Sequence, residues 1–391
     1  MNANIQKLYA IAGKPRRTII GLMSGTSFDG LDVALCVFTG AGPGTKLELR
    51  QFTTMPYEPA FKEELKSVFA KRQADLEKVT LLNGFIGRYY AELIHVCVAQ
   101  WGVELAEVDL IASHGQSIFH SPKHQRPGAD RYGNATLQIG DGDHLAVGTG
   151  VITLSDFRQK HIAGGGEGAP LAVYGDYLLF SDALESRILL NIGGIANFTF
   201  LPAGEPGAFF STDVGPGNTL MDQYVQERFP GLYYDKDSAF ALQGTIDPAL
   251  LAALFDHPFF SAGFPKTTGP ELFNLGYLQA ALERSGQADL PVYDVLATLA
   301  AFSAQGIIRA IGSTLRGRGD FEIYISGGGI YNPLLVRHLE TYFRKPLRST
   351  EQLGVNPDAK EAVLFALLAN EAVAGEKQMP GVYMGKVSFP R

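Results

Sequence analysis

The stretch from Thr18 to Phe38, TIIGLMSGTSFDGLDVALCVF, constrains the fold more than any other part of the chain. Thr18 to Met23 is apolar and β-branched, and Leu31 to Phe38 alternates through Val33, Leu35 and Val37. Between them lies Ser24-Gly25-Thr26-Ser27-Phe28-Asp29-Gly30, so the whole reads as a hairpin of two strands. The connecting segment is unusually equipped for a turn, with two glycines, three hydroxyls and a carboxylate. Glycines let backbone N–H groups converge on an anion, hydroxyls donate to its oxygens, and a carboxylate can hold a metal ion or its waters. Gly25 to Asp32 is therefore a candidate phosphate loop.

At 391 residues the chain exceeds a usual single domain, and two domains are expected. Hydrophobic residues make up 46% and charged residues 19%, enough apolar material for a sizeable core. A net charge of −7 argues against a nucleic-acid binder, so an anionic ligand would have to meet local positive charge. Cys36 and Cys97 lie in apolar periodic segments and read as buried thiols of a reducing compartment, which points to the cytoplasm. No charged start with a long apolar region opens the chain. No continuous apolar run approaches the ~18 residues that a membrane span needs, so no membrane partner is expected.

Met1 to Arg17 reads as a loose extension. Leu47 to Met55 suits a third strand, and Pro59 to Ala70 and Leu76 to Trp101 are helical by spacing. Val108 to Ala112 reads as a short buried strand ending at Ser113-His114-Gly115-Gln116. Thr136 to Ile139 and Val151 to Leu154 are further strands, each followed by an aspartate-bearing turn. Strands alternating with helices in this way indicate an α/β architecture. The glycine-dense segment Ala163 to Pro170 is the expected domain junction. Beyond it the opening pattern returns, since Arg187 to Leu201 (RILLNIGGIANFTFL) is again strand, glycine turn, strand. Ala208 to Ser211 reads as a strand that delivers Asp213 to the turn Gly215-Pro216-Gly217-Asn218. Helical patterns follow over Leu220 to Phe229 and Tyr293 to Leu315. Phe321 to Ser326 is a strand leading into Gly327-Gly328-Gly329, and Ala359 to Ala374 is an apolar, buried helix.

Three glycine turns after buried strands thus stand around Gly25, Gly193 and Gly327. No GxxxxGK[ST] occurs, and no strand–GxGxxG–helix unit, which excludes a P-loop and disfavours a dinucleotide fold. Two hairpin loops for phosphates plus a third glycine turn for adenosine resemble the actin, hexokinase and heat-shock-chaperone ATPase superfamily. Within it, GLMSGTSFDGLD, SHGQS, TLQIGD, DFR, GAPL, NIGGIAN, TDVGPGN, YDKD, KTTGPELFN, DVLATL, SGGGIYNP and PDAKEAVLFALLA occur in the order seen in anhydro-N-acetylmuramic acid kinases. The resemblance covers about Gly21 to the C-terminus. The chain departs from that family pattern at Ser117, His161, Glu167, Ser238 and Pro270.

The resemblance implies two ribonuclease H-like domains with an ATP cleft between them, the first at 18–160 plus 372–391 and the second at 161–371. ATP would be held by Gly25, Thr26, Ser27, Phe28, Asp29, Gly30, Leu31 and Asp32 of the first loop. Asn191, Gly193, Gly194 and Asn197 would supply the second loop, and Gly327, Gly328 and Gly329 the adenosine turn. Asp29 is the candidate Mg2+ partner, directly or through water. Asp213 is the expected general base, because a short carboxylate between a strand and a helix start can be held rigidly. For the sugar the resemblance points to Ser113, His114, Gln116, Asp141, Asp156, Arg158 and Glu361, with Arg158 meeting the lactyl carboxylate. His114 reads as an orienting residue. A zinc site from His114, His120 and His124 lacks supporting cysteine or carboxylate spacing.

The implied activity is an ATP-dependent kinase that opens the 1,6-anhydro ring of 1,6-anhydro-N-acetylmuramic acid with water and phosphorylates O6. N-acetylmuramic acid 6-phosphate and ADP would be the products, in bacterial cell-wall recycling. A kinase of another anhydrosugar or a hexose, or a non-enzymatic actin-like ATP-binding protein, would use the same fold. A small sugar is the expected partner, with no nucleic acid, and a homodimer stays open.

Overall fold

A computed structural model describes residues 2–25, 28–123, 130–169, 171–205, 208–316, 319–356, 358–375 and 384–391. The chain forms two compact units, Met1–Leu179 with Asp358–Arg391, and Phe180–Pro357.

In unit 1 the strands are β1 (Arg16–Ser24), β2 (Gly30–Thr39), β3 (Lys46–Pro56), β4 (Leu110–Ser121), β5 (Ala135–Ile139), β6 (Thr153–Ser155) and β12 (Lys386–Ser388). Their order is β12-β6-β4-β1-β2-β3, with β5 paired to β4. β1, β2 and β3 are antiparallel neighbours, while β1·β4 and β4·β6 are parallel. Alternation decides the layers. Ile20 and Leu22 pack with Ile86, Tyr90 and Ile94 of the helix Leu76–Trp101. Gly21 between them faces the opposite way, where a Cβ would stand 1.9 Å from the carbonyl oxygen of Ala362. Only glycine lets the helix Lys360–Ala374 lie this close to the sheet.

Unit 2 holds β7 (Ser186–Ile192), β8 (Ile195–Leu201), β9 (Phe210–Pro216), β10 (Phe321–Ser326) and β11 (Arg348–Ser349) in the order β11-β10-β7-β8-β9. β7·β8 and β8·β9 are antiparallel, whereas β7·β10 and β10·β11 are parallel. This is the topology of unit 1 over again, β3-β2-β1-β4-β6 matching β9-β8-β7-β10-β11. Both units are ribonuclease H-like, as expected. The helix Val292–Thr314 packs Ile307 and Ile311 on the sheet and Val295, Leu299 and Phe302 on a helical cluster beside it.

Several sequence expectations need correction. The first residues are no loose extension: Ala3–Ala12 is a helix, and Arg16 and Arg17 already belong to β1. Ser113 to Gln116 lie inside β4, because their polar side chains are satisfied within the fold. Asp213 lies inside β9 and not after a strand. The helix Val292–Thr314 is long and apolar enough to span a membrane by length and composition, although no continuous apolar run suggested it. It is the core helix of unit 2, with 78% of its apolar window buried inside the fold. The units divide at 179/180 and 357/358, where the sequence suggested 160/161 and 371/372. At the second boundary the reason lies far off in the chain: Arg17 donates to Asn370 Oδ1 at 2.7 Å and the N–H of Gly42 donates to Glu371 Oε2 at 2.9 Å, tying the last helix to the first hairpin.

Candidate functional site

Each unit presents a glycine turn between its first two strands. In unit 1, Met23 pairs with Asp32 and Ser24 with Leu31, so the loop springs from the last rung of the hairpin. Thr26 and Ser27 lie outside the described residues. The loop's base is braced by buried polar groups. The Tyr57 hydroxyl donates to Ser24 Oγ at 2.8 Å and accepts from the Tyr90 hydroxyl at 3.0 Å. Ser24 in turn donates to Gln116 Oε1, and Gln116 Nε2 donates to the carbonyl of Gly25 at 3.3 Å. Gln116 is fully buried, so its amide holds the Gly25 turn in place. Phe28 takes a left-handed backbone (φ 58°) and buries its ring edge-on against Phe69 at 5.1 Å. That anchor leaves Asp29 exposed beside it, its carbonyl accepting from the N–H of Tyr57 at 3.2 Å. Asp32 is differently placed. Its carboxylate accepts from Thr54 Oγ1 at 2.6 Å, and burial pushes its carboxyl up against that bond.

The other predicted residues of unit 1 separate into held and holding groups. His114 is buried, and its Nδ1–H donates a hydrogen bond to the carbonyl of Gly115 at 3.0 Å. Nε2 accepts from Arg158 Nε at 2.8 Å. Burial and then the Arg158 charge push the imidazole down to about 3, so His114 is neutral across the physiological range. It is an acceptor that aims Arg158. Arg158 also donates from Nη1 to the carbonyl of Gly168 at 2.8 Å. Glu361 stands in the first turn of the last helix. Burial raises its carboxyl, while the Arg158 charge pulls it back down. Ser113 Oγ accepts from the N–H of Gly115, whose φ of +73° and close approach to the Ile139 carbonyl require glycine.

Asp141 caps the helix Gly142–Thr149, its Oδ1 accepting from the N–H groups of Asp143 and His144. Asp156 has a left-handed backbone (φ 57°) that costs a non-glycine residue roughly 1 kcal/mol or more, and Lys386 Nζ donates to its Oδ2 at 2.8 Å. Lys386 comes from β12, far along the chain, so no local pattern marks the pair. Among the described residues no group of three or more His, Cys, Asp or Glu side chains is poised for a metal.

In unit 2 the cross-strand register does the assembling. Asn191 pairs with Asn197 on β8, and Asn197 pairs with Asp213 on β9. Directly opposed residues share a face, so the three side chains form one row. The row begins beside the turn Gly193-Gly194. There a Cβ would meet nothing closer than 3.6 Å at either glycine, so the fold itself does not require them. The N-terminus of the helix Thr219–Arg228 docks on this turn, with the N–H groups of Gly217 and Thr219 donating to the Gly194 carbonyl. The third turn is different. Gly327 has φ +83° and stands against Asn191 and Ile192, and Gly329 stands against Ile192, so both are needed for packing. Gly328 alone has open space around it.

Asp213 is half-buried and locked from behind. Its Oδ2 accepts from the N–H of Thr268 at 2.8 Å and its own N–H donates to the Lys266 carbonyl at 2.9 Å. Burial raises its carboxyl, the Thr268 bond lowers it, and the charge of Glu271 raises it further. Lys266, Thr268 and Glu271 belong to KTTGPELFN, a motif whose individual residues the sequence reading did not assign.

Two ribonuclease H-like units, each with a glycine turn between its first two strands, define an actin-like ATPase fold, the class that includes sugar kinases. The comparisons with known proteins narrow it. Residues 17–384 match the family model for anhydro-N-acetylmuramic acid kinase. The chain is 54% and 53% identical to proteins of that name from Pseudoalteromonas atlantica and Pseudoalteromonas translucida over the full length of each. It is 35% identical to one from Caldanaerobacter subterraneus over 98% of this chain and all of the relative. The chain belongs to the anhydro-N-acetylmuramic acid kinase family; it is a kinase of a small sugar and uses ATP.

Proposed function

We propose that the chain opens the 1,6-anhydro ring of 1,6-anhydro-N-acetylmuramic acid and transfers the γ-phosphoryl group of ATP to O6, with Asp213 as the base. The observation that carries this assignment is the position of Asp213. A half-buried carboxylate is held at one oxygen by a backbone N–H, on the same sheet face as Asn191 and Asn197. Asp213 takes a proton from water as that water's oxygen bonds to C1. The C1–O6 bond breaks and its electron pair stays on O6. O6 then bonds to the γ-phosphorus, and the bridging oxygen departs with ADP. Asp213 returns its proton to solvent.

The turns around Gly25 and Gly193-Gly194 offer backbone N–H groups to the phosphates. Gly328 would leave flat, side-chain-free surface for adenosine. Asp29, exposed at the loop, suits Mg2+, which is usually held by one or two carboxylates, water and the phosphates, and which would neutralise phosphate charge. Gln116 and Tyr57 position the first loop, and His114 aims Arg158. The remaining sugar contacts are assigned to Ser113, Asp141, Asp156 and Glu361. Buried free thiols at Cys36 and Cys97 suit a cytoplasmic location.

Incubation with ATP and the anhydrosugar is expected to give ADP and sugar 6-phosphate in equal amounts, with no ADP from glucose in its place. ADP release that is independent of the sugar would overturn the kinase reading for this substrate.

A further inference from the structure

We propose that Lys266 is a positioning residue for the base: its ammonium, caged by phenylalanine rings, pins the segment that holds Asp213 in place. The proposal rests on Asp213 being the base and adds what fixes the direction of its carboxylate. Residues 264–268 run beside β9 and are bonded to it at three points. The N–H of Lys266 donates to Thr212 Oγ1 at 3.0 Å, and its carbonyl accepts from the N–H of Asp213 at 2.9 Å. The N–H of Thr268 donates to Asp213 Oδ2 at 2.8 Å, which sets the plane of the carboxylate.

This segment has little apolar burial to keep it there, since Ala262, Gly263, Pro265 and Thr267 are exposed. Two side chains anchor it. Phe264 packs on Phe198 and Phe210 of the sheet, with ring centres 6.3 and 6.4 Å away. Lys266 turns toward the short helix Pro258–Ser261, where its Nζ donates to the Phe259 carbonyl at 2.7 Å. The same nitrogen lies 4.2 Å from the centre of the Phe259 ring and 5.1 Å from that of Phe264. No described carboxylate pairs with this ammonium, and burial pushes the amine down, so the rings and the carbonyl hold the charge. A methionine would fill the same space without the cost of burying a charge. What the lysine adds is direction, a bond that fixes where its own backbone must lie. Phe260 rests on Gly215 of β9, where φ is +139° and an added Cβ would stand 3.3 Å from Phe260 Cε1. The anchor therefore closes on β9 two residues from Asp213. The charge acting on the Asp213 carboxyl is that of Glu271, so Lys266 works through the segment it pins and not through its own field.

The test measures kcat, KM, ATP affinity and amide hydrogen exchange of Lys266→Met across pH. Turnover is expected to fall by ~10-fold, the loss of one charge-assisted bond, with KM for the sugar and ATP affinity near wild type. The Thr268 bond lowers the Asp213 carboxyl, so loosening it should move the acid limb of kcat/KM to higher pH, a shift that lost stability alone does not produce. Amide exchange over 212–213 and 264–268 should quicken. Lys266→Arg keeps a cation over the rings and should recover part of the rate. Lys266→Gln keeps a donor for the Phe259 carbonyl and serves where Lys266→Met does not fold; its limb should move in the same direction. A folded variant with the limb and the exchange of the wild type, or one with raised KM and unchanged kcat, would overturn the proposal. Wild-type turnover in Asp213→Asn would instead sink the base reading, and the exchange data would still decide whether Lys266 pins the segment.

Discussion

Asp213→Asn is expected to lower turnover by at least ~10²-fold while ATP binding stays at its wild-type level. The amide keeps the shape and can still accept from the N–H of Thr268 through its oxygen, so β9 should hold its place. What disappears is the proton acceptor. Burial and the Glu271 charge raise the Asp213 carboxyl above the ordinary range. A base works only when deprotonated, so kcat/KM of the wild type should rise with pH along a limb displaced upward from that of a free aspartate. That limb should be absent from the residual rate of the variant. A variant with wild-type turnover, or one with the limb unchanged, would remove Asp213 from the role of base.

Gly194→Val should lower nucleotide affinity by ~10-fold or more while the protein stays folded. Nothing in unit 2 excludes a side chain at this position, since an added Cβ would meet only Thr219 Cβ, at 3.6 Å. Its glycine therefore has no packing reason, and the remaining reason is a ligand that must reach the backbone. Gly329→Val is the contrasting case, because a Cβ there would stand 2.3 Å from Ile192 Cγ2 and the fold should suffer first. Calorimetry with ATP and thermal melting separate the two. Wild-type ATP affinity in folded Gly194→Val protein would exclude this turn from the phosphate site.

The parts of the fold legible in the sequence were those with local causes. Leu76–Trp101 begins at a capping Asp75 and ends at Gly102 in a left-handed conformation, and both signals are visible in the chain. The first hairpin shows its alternation directly. The misplaced elements were the ones decided at a distance. Asp213 seemed to follow a strand because Gly215 and Pro216 read as a turn, yet both pair with β8. The polar run Ser113 to Gln116 read as the end of a strand, because its partners Ser24 and Gly25 come from the first hairpin. The last helix is apolar nearly all round, so its sequence does not say which sheet it covers; Gly21, some 340 residues away, decides that by admitting Ala362. The candidate base was readable as a residue type in a motif. Its lock was not, because the N–H that holds it belongs to Thr268, 55 residues on.

The most direct test of the central claim, that Asp213 activates water and not a sugar hydroxyl, follows the oxygen of that water. In the anhydrosugar O6 is tied to C1, so no hydroxyl exists there for a base to deprotonate. The reaction is run briefly in ¹⁸O-labelled water with ATP and 1,6-anhydro-N-acetylmuramic acid, and the product is analysed by mass spectrometry. An N-acetylmuramic acid control follows exchange at the anomeric carbon. Label at C1 of the sugar 6-phosphate at the earliest times, with none in the phosphate, is the predicted result. Label in the phosphate, or a C1 oxygen that stays unlabelled, would contradict it.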